Sequence, residues 1–197
     1  SVQVHPSDKK AAELGERQSG KNEFWVVLDA EEKSVLYLGF KKDVDKRQFE
    51  NDLESGSVNI AEKYLNAIRV KKGDLIFNPA GTVHAIGKGI VLAEIQQSSG
   101  LTYRLWDWNR VPRREMHVKK GLESLEFKKS GESDFRVLPR MTGRNEESLI
   151  DGMFFSVDRI ALDRNGRIDL ETKDSFQIIL CLQGSAVFKS EKSKEVL

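Results

Sequence analysis

Cysteine is almost absent. The chain has one in 197 residues, Cys181, so no intrachain disulfide framework can form and the stapled scaffolds of small secreted domains are excluded. Cys181 lies in the apolar run FQIILCL and reads as an inert core residue rather than a nucleophile. Histidine is nearly as scarce, with His5, His84 and His117 the only three, which rules out a histidine-rich centre. No apolar run approaches the roughly 20 residues that cross a bilayer, and no signal-peptide pattern is visible. Neither sign of charge dominates: 32 basic side chains face 31 acidic ones, for a formal net charge of +1. No global field therefore draws in nucleic acid or an anionic membrane. The expectation is a cytoplasmic protein with neither nucleic acid nor membrane as a partner, whose function must be argued from a local site.

What is present is β-forming sequence. The length allows one sizeable domain or two small ones, at about 100–200 residues each. The stretches FWVVLD, SVLYLGF, AIRV, DLIFN, IVLAEI, LTYRLW, MFFSVDRIAL and FQIILCL are short, rich in β-branched and aromatic residues, and bounded by turn formers. Helix is expected only over about 43–54, capped by Asp43, and over about 58–67, capped by Ser57, with Ile60, Tyr64 and Ile68 at helical spacing. A polar stretch over 111–144 reads as a connector, with His117 exposed on it, and strands resume near Met153. Strands so closely spaced, without long helices between them, point to a mainly β barrel or sandwich rather than a parallel α/β sheet. Ser1 already lies in a strand-like pattern and the chain closes on the charged run SEKSKEVL, so further segments are expected beyond both ends.

The opening SVQVHP places polar side chains where a strand is expected. Residues i and i+2 of a strand share a face, so Gln3 and His5 converge, and Glu23 shares its face with Lys21 by the same rule. His84 follows GDLIFNPAGTVHAIGKG, in which Gly73 and Asp74 make a turn and Pro79 with Gly81 bends the backbone, aiming His84 inward. Two imidazoles, one carboxylate oxygen and one amide oxygen make a mixed nitrogen and oxygen site suited to zinc or another first-row divalent ion. With positions left for water or substrate, such an ion acts as a Lewis acid on a carbonyl or hydroxyl.

The spacing G-x5-P-x-G-x2-H formed by Gly73, Pro79, Gly81 and His84 resembles the second half of the cupin metal-site signature. The blocks SVQVHP, GKNEFWVVLDAE with YLGF, and GDLIFNPAGTVHAIGKGIVLAEIQQSSGLTYRLWDWNR resemble, in order, those of type I mannose-6-phosphate isomerases of the short bacterial and archaeal branch. The resemblance spans about residues 1–110. It implies a β-jelly-roll cupin, a metal held by Gln3, His5, Glu23 and His84, and interconversion of mannose 6-phosphate with fructose 6-phosphate. Arg104 of LTYRLW is the implied catalytic arginine, Glu94 and Lys21 match family active-site positions, and Ser1 matches a serine two residues before the metal glutamine. Arg110, at the end of RLWDWNR, stands where family members tend to carry a basic residue and is the candidate to hold the substrate phosphate. The implied domains are a metal-binding cupin over 1–110 with a helical insertion at about 43–67, a connector over 111–144, and a partial second cupin-like unit over 145–197. The family usually has a long segment before its SVQVHP block and a fuller second cupin.

The chemistry stands beside the resemblance. Moving a carbonyl between C1 and C2 takes a proton from one carbon and delivers it to the next while negative charge develops on oxygen. A metal and a guanidinium meet that need, because a guanidinium stays charged and presents several donors in one plane. Glu94, a metal-bound water, or Lys21 in its neutral form is the candidate to carry the proton, and the sequence does not choose among them. Trp106 and Trp108 share the strand parity of Arg104 and read as packing. Two other classes fit the same scaffold: a non-catalytic sugar-binding cupin with a regulatory role, and a metal-dependent oxygenase. The presence of both Arg104 and Lys21 favours the isomerase, and the scarcity of histidine disfavours the oxygenase.

Overall fold

The computed structural model describes residues 1–171, 175–189 and 194–196. In chain order the elements are β1 (Val2–Val4), α1 (Asp8–Glu13), β2 (Glu23–Ala30), β3 (Val35–Phe40), α2 (Lys46–Ser55), α3 (Ile60–Tyr64), β4 (Leu65–Arg69), β5 (Leu75–Asn78), β6 (His84–Ile86), β7 (Ile90–Gln96), β8 (Tyr103–Trp106), α4 (Val118–Ser124), β9 (Arg140–Met141), β10 (Glu146–Asp151), β11 (Ser156–Ile160), β12 (Val187–Lys189) and β13 (Lys194–Val196). The chain divides into two compact units, Ser1–Arg159 and Ile160–Leu197.

The first unit is a mainly β cupin built on a five-stranded antiparallel sheet, β4-β3-β6-β1-β8, and a three-stranded antiparallel sheet, β5-β2-β7. Alternation along each strand decides what lies between the sheets. From β1, Val2 and Val4 turn outward to a core shared with Phe49 and Leu53 of α2, Ile60 and Tyr64 of α3 and Leu122 of α4. From β2, Trp25 and Val27 pack with Leu36 and Leu38 of β3, Ile68 of β4 and Ile76 of β5. On the other face of β2, Phe24 and Val26 meet Leu149 of β10, Phe155 and Val157. Because both faces of β2 are covered, its first five residues are all buried and the strand reads as a continuous apolar run rather than an alternating one.

The helical insertion is shorter than its sequence pattern. Asp45, not Asp43, caps α2 by accepting from the Gln48 N–H at 2.9 Å, and Asp43 instead accepts from the Lys129 N–H at 2.8 Å. Asn59, not Ser57, caps α3. That helix stops at Tyr64 because Leu65 enters β4 and pairs with Phe40, so Ile68 lies in a strand rather than on the helical face it was expected to share.

The stretch 111–144 belongs to the first unit, whose limit falls at Arg159. Its apolar residues never form a run, yet Leu122 and Leu125 enter the helix-side core and Phe135 enters the core between the sheets. Among its described residues the second unit holds one antiparallel pair, β12 with β13. FQIILCL, expected as a strand, forms none and has no partner strand among the described residues; Phe176 and Ile178 are exposed, and Cys181 is half-buried rather than in a core.

Four rings meet under the five-stranded sheet: Phe49 packs edge-on against Phe40 at 5.3 Å, Tyr64 at 4.9 Å and Phe127 at 6.2 Å between centroids. Phe49→Ala is expected to lower stability by about 3–5 kcal/mol, read as a shift of the urea midpoint at unchanged slope.

Candidate metal centre and active site

Strand register gathers the polar residues of the interior. Gln3 of β1 stands opposite His84 of β6 on one side and Arg104 of β8 on the other. Glu23 opens β2 opposite Asn78 of β5 and Gln96 of β7, and Trp25 stands opposite Glu94. The bend before His84 is built as its residues demand. Thr82 N–H closes a turn onto Pro79 O at 3.2 Å, and Gly81 adopts φ +88° while donating its N–H to His5 O at 2.8 Å. A side chain at Gly81 would be strained at that φ and would meet Glu126 Cγ at 3.1 Å.

His5, Glu23 and His84 are buried, and one ligand atom from each lies within 4.8 Å of the others. Both rings are oriented by main-chain carbonyls: His5 Nδ1 donates to Leu101 O at 2.8 Å and His84 Nδ1 donates to Thr82 O at 2.9 Å. Each anchored Nδ1–H leaves Nε2 facing the carboxylate. His5 Nε2 is 2.9 Å from Glu23 Oε1 and His84 Nε2 is 3.6 Å from Glu23 Oε2. Gln3 Nε2 sits 3.2 Å from His84 Nε2. Burial, with His5 beside it, pushes His84 down to about 3, so this imidazole is neutral at physiological pH. Burial opposes ionisation of Glu23, but His5, His84 and Lys21 outweigh it and hold the carboxyl well below the usual carboxylate range. A neutral imidazole, an ionised carboxylate and a buried His5 Nε2 without a hydrogen-bond partner are a donor set for a divalent ion.

The other expected residues surround this cluster to different degrees. Lys21 Nζ lies 2.8 Å from Glu23 Oε1 and 3.5 Å from Glu94 Oε1, so it bridges the two carboxylates. Burial and the Glu23 charge raise the Glu94 carboxyl above its ordinary value against the pull of Lys21. Arg104 donates from Nη1 to Glu115 O at 2.7 Å, while its Nε is buried without a partner. Ser1 Oγ donates to Gln3 Oε1 at 3.2 Å. Arg110 is exposed in the turn after β8, where it is Arg114 that grips Asp107, with Nε and Nη2 at 2.7 and 2.5 Å from the two oxygens. Trp106 joins the helix-side core and Trp108 is 42% exposed.

Known proteins with these features point one way. No family model matches the chain. It is 33% identical over 188 residues to the mannose-6-phosphate isomerase ManA of Bacillus subtilis, covering 93% of this chain and 58% of that protein. It is 31% identical over 188 residues to the mannose-6-phosphate isomerase of Streptococcus mutans, covering 93% of this chain and 57% of that protein. The crystal structure of the mannose 6-phosphate isomerase from Bacillus subtilis superposes with a TM-score of 0.69 at 30% identity, over 80% of this chain and 50% of that one. Over most of its length the chain is thus similar to mannose-6-phosphate isomerases. It spans 58% and 57% of the length of the two curated relatives.

Three residues around this site escaped the sequence reading. Asn78 is buried and donates from Nδ2 to Glu23 Oε2 at 2.8 Å, fixing the carboxylate from the neighbouring strand. Asn22 and Gln97 form a hub. Gln97 Oε1 accepts from Asn22 N and Nδ2 at 2.8 and 2.6 Å, Asn22 Oδ1 accepts from Ala80 N at 2.9 Å, and Gln97 Nε2 donates to Asp8 Oδ1 at 3.3 Å. Asp8 Oδ1 also accepts from Gly20 N at 2.7 Å, and Gly20 passes so close that an added Cβ would lie 2.4 Å from Asp8 N. The hub ties together the loops that deliver His5, Glu23 and His84. The position of Asn78 just before the Pro79 bend was the one sequence signal available for it. Glu23→Ala is expected to abolish divalent-ion binding, and Asn78→Ala to weaken it about 10–100-fold while the fold persists, as measured by calorimetric titration of zinc into each purified variant.

Proposed function

We propose that the protein interconverts mannose 6-phosphate and fructose 6-phosphate around a divalent ion, zinc by its donor set, held by Gln3, His5, Glu23 and His84. The observation that carries this reading is the buried convergence of two imidazoles and one carboxylate within 4.8 Å, with Arg104 opposite Gln3 on the next strand. A cytoplasmic setting is part of the same reading, since one cysteine supports no disulfide framework. Among the described residues no helix is long and apolar enough to cross a membrane.

When bound, the ion supplies Lewis-acid polarisation of the sugar oxygens at C1 and C2. Arg104 directs its unpaired N–H donors at the same oxygens, where they stabilise charge that builds only as the carbon-bound proton leaves. Glu94 takes that proton from one carbon and returns it to the other; burial and the Glu23 charge raise its carboxyl above the ordinary value, so it holds a proton more readily than a free carboxylate. Lys21, between Glu23 and Glu94, holds the two carboxylates apart in orientation and neutralises them. Ser1 binds the substrate beside Gln3, and Arg110 takes the phosphate at the far end.

The test is to incubate metal-loaded protein with a panel of aldose and ketose 6-phosphates and follow interconversion by NMR. Exchange of mannose 6-phosphate with fructose 6-phosphate is expected, and binding without turnover of any pair would make the protein a sugar-phosphate binder instead. Arg104→Ala is expected to keep fold and metal content while losing about a hundredfold to a thousandfold in kcat, or roughly 2.7–4 kcal/mol. Arg110→Ala is expected to raise KM for the 6-phosphate sugar far more than for the unphosphorylated sugar. Equal effects on both substrates would remove Arg110 from the site.

A further inference from the structure

We propose that His117 is a positioning residue for Arg104, taking the place of a partner strand on the side of β8 away from β1. The consequence for turnover rests on the isomerase reading above; the contact itself does not. Among the described residues β8 is the last strand of the five-stranded sheet, with β1 on one side only. On the open side, Arg104 exchanges two main-chain bonds with one residue: His117 N–H donates to Arg104 O at 2.8 Å, and Arg104 N–H donates to His117 Nδ1 at 3.3 Å. The imidazole stands where the carbonyl of an antiparallel partner would be.

That geometry has two consequences. Accepting from an amide requires a lone pair on Nδ1, so the ring is the tautomer with its proton on Nε2, which lies 3.8 Å from Glu115 Oε2. Both main-chain groups of Arg104 turn towards His117, so Arg104 and Gln3 face each other as a non-hydrogen-bonded pair, the arrangement that brings cross-strand side chains closest. The same short segment also holds the guanidinium, through Arg104 Nη1 to Glu115 O at 2.7 Å. Residues 115–117 thus fix the backbone and the side chain of one arginine while leaving its Nε free.

His117 occupies the N-cap position of α4, where Ser, Thr, Asp or Asn is usual, yet its side chain makes no cap bond. The ring serves Arg104 instead of the helix. It is held there from behind: Gly121 N–H donates to His117 O at 2.9 Å, and the ring lies 6.3 Å from that of Tyr103, whose hydroxyl donates to Glu16 Oε1 at 2.9 Å. Small displacements of a group that acts on the transition state cost rate rather than ground-state binding.

His117→Phe keeps an aromatic ring beside Tyr103 and the main-chain N–H, and removes the Nδ1 acceptor together with the Nε2–H that faces Glu115. In the metal-loaded protein it is expected to lower kcat about tenfold, the worth of one main-chain hydrogen bond, with KM and metal content unchanged. In an Arg104→Ala background it is expected to change nothing further. In arginine-labelled protein, the Arg104 Nε–Hε resonance, assigned by its loss in Arg104→Lys, is expected to shift and to exchange faster with water in the variant. The unsubstituted protein gives a separate reading: nitrogen NMR of His117 at mildly alkaline pH is expected to show the Nε2–H tautomer. An unprotonated Nε2 there, an unmoved Arg104 resonance, or the same kcat loss with and without Arg104 would overturn the proposal. Failure of the parent protein to isomerise any sugar phosphate would instead overturn the functional reading, and the two NMR measurements would still decide the contact.

Discussion

A carboxylate buried between two sheets must be met by donors or it takes up a proton. Glu23 sets that demand, and much of the first unit answers it. Lys21 and Asn78 donate to its two oxygens from the preceding loop and the adjacent strand. The two imidazoles come from β6 and from the end of β1, each steered by a carbonyl behind it. The Gly81 bend is held to His5 O, so the segment that carries one imidazole is fastened to the residue that carries the other. The charge that a cation would need is therefore set before any cation arrives.

The surrounding fold keeps apolar and polar work on separate faces. The outward faces of β1 and β8 supply Val2, Val4, Tyr103 and Leu105 to the helix-side core, where rings and aliphatic chains pack without polar demands. The inward faces of the same strands supply Gln3 and Arg104. Strand alternation makes this division possible on two adjacent strands at once. Substitution on the outer face is then felt as stability, and substitution on the inner face as chemistry.

How far the sequence carried this depended on whether a feature was local. The alternation in SVQVHP and the Pro79–Gly81 bend are properties of neighbouring residues, and both were legible. Register is not: nothing in the order of residues says that Gln3 lies between His84 and Arg104, and the resemblance to a family had to supply Arg104, Glu94 and Lys21. The Ile60, Tyr64, Ile68 spacing misled because Leu65 is captured by Phe40, a tertiary pairing that outweighs local helical preference. The stretch 111–144 looked solvated because Leu122, Phe127 and Phe135 stand apart among charges, though each finds a core built by other elements. His117 looked exposed for the same reason, since its partner is a main-chain N–H on β8, thirteen positions earlier.

The hub of Asp8, Asn22 and Gln97 makes the loops around the site depend on one another. Gln97 offers one carbonyl oxygen to two Asn22 donors, and Asp8 offers one oxygen to Gly20 and to Gln97. Removing the Asp8 carboxylate leaves the buried Gly20 N–H and the buried Gln97 amide without a partner, which is costly, whereas Asp8 itself is exposed and loses little when Gln97 changes. A replacement at position 8 is thus felt at Gly20 and at Gln97, on other loops of the site. Three positions far apart in the sequence therefore hold one another in place through shared hydrogen bonds.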